Sequence, residues 1–284
     1  MKPYALSIAG FDPSAGAGIL ADIKTFQANH VYGFGVCSAI TFQNDKEFEN
    51  VKWMEVENII KQIDVLFNRF KINWVKIGLI ENVVVLKKTV EYLLMRNPDL
   101  KIIWDPILKA SSGFVFHEKI DGDELINVCR NIFLITPNTE EIVILFPREC
   151  RDETMSRLSL IPKISNEEKA CRYLSQYCAV LLKGGHKKKI TTLPSPFLRR
   201  GAGGEVDPVD TLFQYDRRDN FYSKRIDSDK HGTGCVLSAA ILANLAMGDG
   251  LVDACRKAKQ YINKFLESNS TLLGEHIYKD EIHI

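Results

Sequence analysis

Long hydrophobic runs are missing from this chain. No stretch of about 18 apolar residues occurs, which excludes a membrane-spanning helix. An excess of one charge is missing too: 37 Lys and Arg stand against 36 Asp and Glu, a formal net charge of +1. There is no basic footprint for nucleic acid and no acidic tail. Paired cysteines are absent; the seven Cys are scattered and never spell C-x-x-C. That pattern suits reduced thiols in a cytoplasmic protein rather than a disulfide framework or a zinc site. The opening MKPYALSIAG holds only a short apolar run ending at Gly10, without the length or cleavage pattern of a signal peptide. A Walker A run is also lacking. The expected partner is a small molecule, with neither nucleic acid nor membrane.

What is there is enough apolar residue, 45% of 284, to bury a large core. Short β-rich runs alternate with helical patterns. Strands are expected at 4–9, 33–41, 75–77, 101–104, 132–135 and 179–183. Helices are expected at 19–28, 56–70, 83–95, 140–146, 166–177, 234–247 and 251–266. Such alternation predicts one α/β domain over 1–284, a mostly parallel sheet covered on both faces. Thr191–Asp207 breaks the pattern. Its Pro, Gly and Arg content and lack of periodicity predict a disordered surface insertion, with a working lid as the less economical reading. Residues 149–161 read as a second irregular excursion.

In open parallel sheets, ligands sit beyond the carboxyl ends of the strands. Chemistry-bearing residues follow each expected strand: Gly10 to Gly18 (GFDPSAGAG), Thr41-Phe42-Gln43-Asn44, Asp105-Pro106, Thr136 to Glu141 (TPNTEE) and Lys183-Gly184-Gly185-His186. Gly16-x-Gly18 imitates a dinucleotide fingerprint, but Asp12-Pro13-Ser14 intervenes after the strand and no acidic residue ends the second strand. Plain backbone freedom explains those glycines equally well. The strongest cluster is Gly232-Thr233-Gly234-Cys235, followed at once by an apolar helix. Freed N–H groups and the positive helix end make an anion hole for a transferring phosphoryl group. A plain helix-capping turn is the blander account.

Seven runs carry a resemblance: AGFDPSAGAGILADIKTF (9–26), VYGFGVCSAITFQN (31–44), VKIGLI (75–80), DPIL (105–108), ITPNTEE (135–141), LLKGGH (181–186) and HGTGCVLSAAI (231–241). In this order they resemble the ribokinase superfamily, and specifically its hydroxymethylpyrimidine/phosphomethylpyrimidine kinase branch. The resemblance implies a ribokinase-like three-layer α/β/α fold with a small lid around residues 33–54. It implies ATP as phosphoryl donor and Mg²⁺ as cofactor. Asn138-x-x-Glu141 and Asp105 would face the metal, although Asn138 and Glu141 also spell a helix capping box. Lys183, Asn138 and Thr233 would meet ATP phosphates, with His186 structural. Gln43 would read the pyrimidine edge, with Gly10, Asp12, Ala17, Asp22 and Leu79 around the same pocket. Asp12 reads equally as a turn former. The chain departs from the family at Leu79, often Met, and at Lys109-Ala110-Ser111-Ser112-Gly113 after Asp105-Pro106.

The expected reaction is ATP-dependent phosphorylation of hydroxymethylpyrimidine, then of its monophosphate, in thiamine biosynthesis. A pyridoxine or pyridoxal kinase is the alternative within the superfamily. A nicotinamide-dependent oxidoreductase would rest on Gly16-x-Gly18 but leaves HGTGC unexplained. A non-catalytic binding protein would have to lose Asp105, Glu141 or Lys183, and all three are present. Cys235, at the first helical turn, is expected to have a lowered thiol pKa and to accept the alcohol proton, unless it only packs there. A homodimer through the lid strands is implied by the resemblance.

Overall fold

The structure, a computed structural model, describes residues 2–109, 115–116, 122–146, 167–184, 199–200 and 206–278. The elements run β1 (Tyr4–Phe11), α1 (Gly18–Ala28), β2 (Tyr32–Gln43), β3 (Phe48–Trp53), α2 (Val56–Phe67), β4 (Trp74–Ile77), α3 (Val83–Arg96) and β5 (Lys101–Trp104). They continue α4 (Gly122–Cys129), β6 (Leu134–Ile135), α5 (Thr139–Leu145), α6 (Glu167–Leu174) and β7 (Ala179–Leu182). After two short paired strands, β8 (Arg199–Arg200) and β9 (Val206–Asp207), come β10 (Val209–Gln214), β11 (Arg217–Tyr222), α7 (Thr233–Ala246) and α8 (Leu251–Glu267).

One sheet of nine strands runs β11-β10-β7-β6-β5-β4-β1-β2-β3. From β7 to β2 every neighbour is parallel. β3 closes one edge and the β10–β11 hairpin the other, both antiparallel to their neighbours. The parallel strands are short apolar runs because both faces are covered. On one face pack α2 to α6, through residues such as Ile63, Val90, Leu125, Ile142 and Leu174. On the other pack α1, α7 and α8, through Phe26, Ile241, Leu242, Ile262 and Phe265. The expected three-layer ribokinase-like α/β/α architecture is therefore present.

The helix α7 is buried at every position from Cys235 to Leu245. It has no polar face because α1, α8 and the sheet enclose it. Alanines at 239, 240 and 243 let it lie close to its neighbours. Its N-terminus thereby opens at the carboxyl ends of the parallel strands.

The region expected to form a lid is the continuation of the sheet edge. β2 pairs with β1 in its first part and with β3 in its second. A bulge shifts the register between Ala9↔Cys37 and Gly10↔Ala39. Ser38, skipped by that shift, donates its hydroxyl to the Leu79 carbonyl, tying the hairpin base to the end of β4. Of the insertion expected at 191–207, only β8 and β9 are described; the rest of it, residues 147–166, Ala110 to Gly113 and His186 lie outside the described residues.

Leu242 is fully buried in α7. Leu242→Ala should lower unfolding free energy by about 2–5 kcal/mol, read from urea denaturation.

Candidate active site

Two glycine-containing loops meet backbone to backbone at the rim. Gly232, the N-cap of α7, has φ +76°, and a Cβ there would lie 2.0 Å from the Gly16 carbonyl oxygen. Gly18 has φ +61°, and its Cβ would lie 2.1 Å from the Gly10 carbonyl oxygen. No side chain fits either place. Asp12 organises the first loop from within. Its carboxylate accepts from the Ser14 and Ala17 amides at 2.9 and 2.8 Å and contacts His231 Nε2 at 2.9 Å. Burial would raise this carboxyl, but the hydrogen bonds from His231, Ser14 and Ala17 hold it below the ordinary value. His231 precedes Gly232, so the same bond locks one loop to the other. Behind them Lys230 Nζ donates to the Asn269 and Thr271 carbonyls, anchoring the second loop to the segment after α8.

Beside the start of α7 lies a group of charges from the segments that follow three strands, β5, β6 and β7. Lys183 Nζ is 2.8 Å from Asp105 Oδ1 and 3.6 Å from Glu141 Oε2. Thr136 and Ser238 donate their hydroxyls to the two Asp105 oxygens at 2.9 and 3.0 Å. Asn138 caps α5 by accepting from the Glu140 and Glu141 amides, and Glu141 accepts from the Asn138 amide at 2.6 Å. Both readings of Asn138-x-x-Glu141 thus remain compatible: the capping box holds Glu141 against Lys183. Burial would push Asp105 up, yet Lys183 and Lys76 override it and hold its carboxyl low. Burial pushes Glu141 up to about 7, against the pull of Lys183 and with the push of Asp105. A Cβ on Gly234 would sit 3.4 Å from Lys183 Nζ, so the ammonium points at the first turn of α7. Positive charge, a helix start and two carboxylates face one small space, an arrangement suited to polyphosphate.

The sequence model of the phosphomethylpyrimidine kinase family matches residues 12–279. The hydroxymethylpyrimidine/phosphomethylpyrimidine kinase of Rhizobium meliloti is 32% identical over 276 residues, 96% of this chain and 93% of that protein. The Escherichia coli protein of the same name is 30% identical, over 96% of this chain and 94% of its own. The chain belongs to the phosphomethylpyrimidine kinase family. A crystal structure of phosphomethylpyrimidine kinase from Clostridium difficile shares 29% identity and a TM-score of 0.67, covering 93% of this chain and 99% of its own. The Staphylococcus aureus pyridoxal kinase in complex with ADP superposes with a TM-score of 0.76, covering 99% of this chain and 96% of its own; at 21% identity it shares the fold.

As a kinase, a phosphotransferase, the protein brings most of the expected residues to one rim. Gly10 and Leu79 touch: a Cβ on Gly10 would meet Leu79 Cδ2 at 3.0 Å. Ala17 lies in the loop that Asp12 folds, and Gln43 ends β2, partly exposed. Two expectations, for Asp22 and Cys235, need correction, and the alternative left open for Asp12 is decided. Asp22 is fully buried in α1, taking Ser7 Oγ at 2.6 Å and Lys76 Nζ at 2.5 Å, so it lies beneath the pocket rather than in it. Asp12 is 1% exposed with its oxygens already engaged, so it shapes the loop as a turn former. Cys235 is buried, and burial pushes its thiol up to about 11 despite the pull of Lys76; the expected thiolate is absent at neutral pH. Sequence reasoning missed Lys76, Ser238 and the lock made by His231, and gave Thr136 no role of its own. Lys76 alone carried a signal: a charge inside the otherwise apolar strand Trp74–Ile77.

Gly232→Ala should cost about 1–3 kcal/mol of stability and open the contact with Gly16, seen by denaturant unfolding. Glu141 gives a pH signature in the ligand-free protein. Its folded pKa, about 7, lies above its ordinary 4.5. Its stabilising contribution is therefore complete below about pH 4.5 and lost as pH rises through 7. Glu141→Gln should flatten that part of the stability-pH curve, measured by thermal unfolding across the range.

Proposed function

We propose that this site transfers the γ-phosphoryl group of ATP to the hydroxymethyl oxygen of 4-amino-5-hydroxymethyl-2-methylpyrimidine, and then a second phosphoryl group to the monophosphate, as in thiamine biosynthesis. The observation that carries the reading is the convergence of the α7 N-terminus, Lys183, Asp105 and Glu141 on one space. The amides of Gly232 to Cys235 receive the transferring group, the Thr233 hydroxyl joins them by turning its proton away from the Lys230 carbonyl, which it meets at 2.7 Å, and Lys183 and Asn138 meet the other phosphates. Gln43 hydrogen-bonds the ring edge, between walls supplied by Gly10, Ala17 and Leu79. The alcohol oxygen forms its bond to the γ-phosphorus as the bond to the β-phosphate oxygen breaks; ADP leaves, and the alcohol proton passes late in the step to an oxygen of the transferred phosphoryl group and on to water. Phosphoryl transfer passes through a loose transition state, so positioning and charge stabilisation matter more than a strong base. Cys235 then stands beside the acceptor as a neutral thiol.

Two buried carboxylates with one ammonium suit a hydrated Mg²⁺ carried in by the phosphates. Among the described residues no group of three or more His, Cys, Asp or Glu could form a cage. Asp105 and Glu141 would hold the ion largely through its water, and the metal would neutralise phosphate charge. The exposed Ile40 and Phe42, in the part of β2 that pairs with β3, support a homodimer through the face of those lid strands, and the free thiols support a cytoplasmic setting.

Turnover of hydroxymethylpyrimidine should exceed that of pyridoxal in kcat/KM, measured by ADP release. Equal or better use of pyridoxal would transfer the reading to a pyridoxal kinase. Activity should vanish in EDTA, and Glu141→Gln should lower kcat by about tenfold or more. With the thiol neutral, Cys235→Ala should keep at least about a tenth of the parent kcat, because the anion hole is backbone. A loss of about a thousandfold would restore Cys235 as the proton acceptor.

A further inference from the structure

The buried pair Lys76–Asp22 has no part in the reaction as described, and stability alone does not account for it. Both side chains are fully shielded from solvent. Burying two charges costs several kcal/mol in desolvation, and apolar replacements of buried pairs are often neutral or stabilising. The pair sits on the face of β4 turned toward α1 and α7. Lys76 Nζ donates to Asp22 and also to the Cys235 carbonyl at 3.2 Å. Ser7 Oγ donates to the other Asp22 oxygen at 2.6 Å, fixing the carboxylate that fixes the lysine. Cys235 belongs to the first turn of α7, whose amides form the anion hole. The same turn is held from its other side by Ser238, whose hydroxyl lies 3.0 Å from Asp105 Oδ2 and 3.1 Å from the Cys235 carbonyl.

We propose that Lys76 is a positioning residue for phosphoryl transfer: anchored by Asp22 and Ser7, it pins the Cys235 carbonyl from beneath, fixing the first turn of α7 and placing a positive charge behind the anion hole. This rests on the kinase reading above. Lys76 touches no reacting atom. It acts through the α7 backbone, so its removal should lower kcat while ground-state binding stays nearly unchanged.

The test is Ser7→Ala/Asp22→Leu/Lys76→Met, which removes the pair and the Ser7 hydroxyl that would otherwise lose its acceptor. The triple variant should fold, lose about tenfold in kcat, and keep KM for ATP and for the alcohol within about twofold. Amide hydrogen exchange of a peptide spanning 232–238, read by mass spectrometry without substrate, should be faster than in the parent. Parent-like kcat and parent-like exchange would overturn the proposal. Should the triple variant not fold, Asp22→Asn/Lys76→Gln decides. It keeps a side-chain donor for the Cys235 carbonyl, so parent-like exchange over 232–238 is expected and fast exchange would overturn the idea. Exchange needs no turnover. If the parent phosphorylates neither hydroxymethylpyrimidine nor pyridoxal, the kinase reading falls, while the exchange comparison still decides Lys76.

Discussion

The start of α7 can stand where it does because two backbones touch without side chains between them. The Gly232 position lies against the Gly16 carbonyl, and Gly18 lies against Gly10 in the same way. A β-carbon at either place would overlap a carbonyl oxygen. The contact sets the distance between the loop after β1 and the helix start, and so the depth of the space between them. Around it the chain adds further bonds: Asp12 to His231, Lys230 to Asn269 and Thr271 after α8, and Thr233 Oγ1 to the Lys230 carbonyl at 2.7 Å. The helix behind the contact is buried from Cys235 to Leu245, with its two interior polar side chains, Ser238 and Asn244, hydrogen-bonded, so it cannot slide to relieve strain at its end.

Charge is arranged with the same economy. Three carboxylates, Asp22, Asp105 and Glu141, stand with two ammonium groups, Lys76 and Lys183, close to the first turn of α7. With all five ionised the group carries one negative charge, and burial pushes both Asp22 and Glu141 upward, Glu141 to about 7. Cys235 shows which effect wins at a helix start. A helix terminus favours an anion by about 0.3–2 kcal/mol. Full burial of an ionisable group moves its pKa by up to ~3–5 units, a larger energy. The thiol therefore goes up rather than down.

How much of this could be read from sequence follows from what each segment buries. β1, β4 and β5 are apolar runs packed on both faces, and Gly232-Thr233-Gly234 announces a helix start, so the parallel core and the rim were legible. β3, β10 and β11 were not expected. β3 (FENVKW) and β11 (RRDNFY) are edge strands rich in polar residues, held by pairing with a neighbour that only the fold supplies. α4 follows a stretch without a clear helical period and was likewise unread. At the site, Asp105, Lys183 and Glu141 were legible because each follows a strand. Asp22 was misplaced because a carboxylate in the first turns of a helix gives no sign of which way it faces. Its partner Lys76 lies 54 residues away in sequence.

On the proposed function, the fold separates phosphoryl donor from acceptor more sharply than it separates one acceptor from another. Lys183, Asp105 and Glu141 come from the ends of β7, β5 and the turn after β6, in the middle of the sheet. Gln43, Gly10 and Leu79 come from β2, β1 and the end of β4, toward the β3 edge. Phosphate recognition therefore rests on the buried centre, where changing one charge disturbs several partners. On the proposed function, acceptor recognition would rest on a hairpin whose last paired residues, Gln43 and Phe48, follow a register shift. Phe116 packs its ring against Phe48 at 5.2 Å and Trp53 at 6.0 Å, so the hairpin is braced from the segment that follows Asp105-Pro106. A small change in that brace would move Gln43 relative to the anion hole without touching Lys183. If the ring is held there, as proposed, a physical reason follows why one fold could serve pyrimidine and pyridine alcohols: the sheet edge is the part of the fold with fewest neighbours to constrain it.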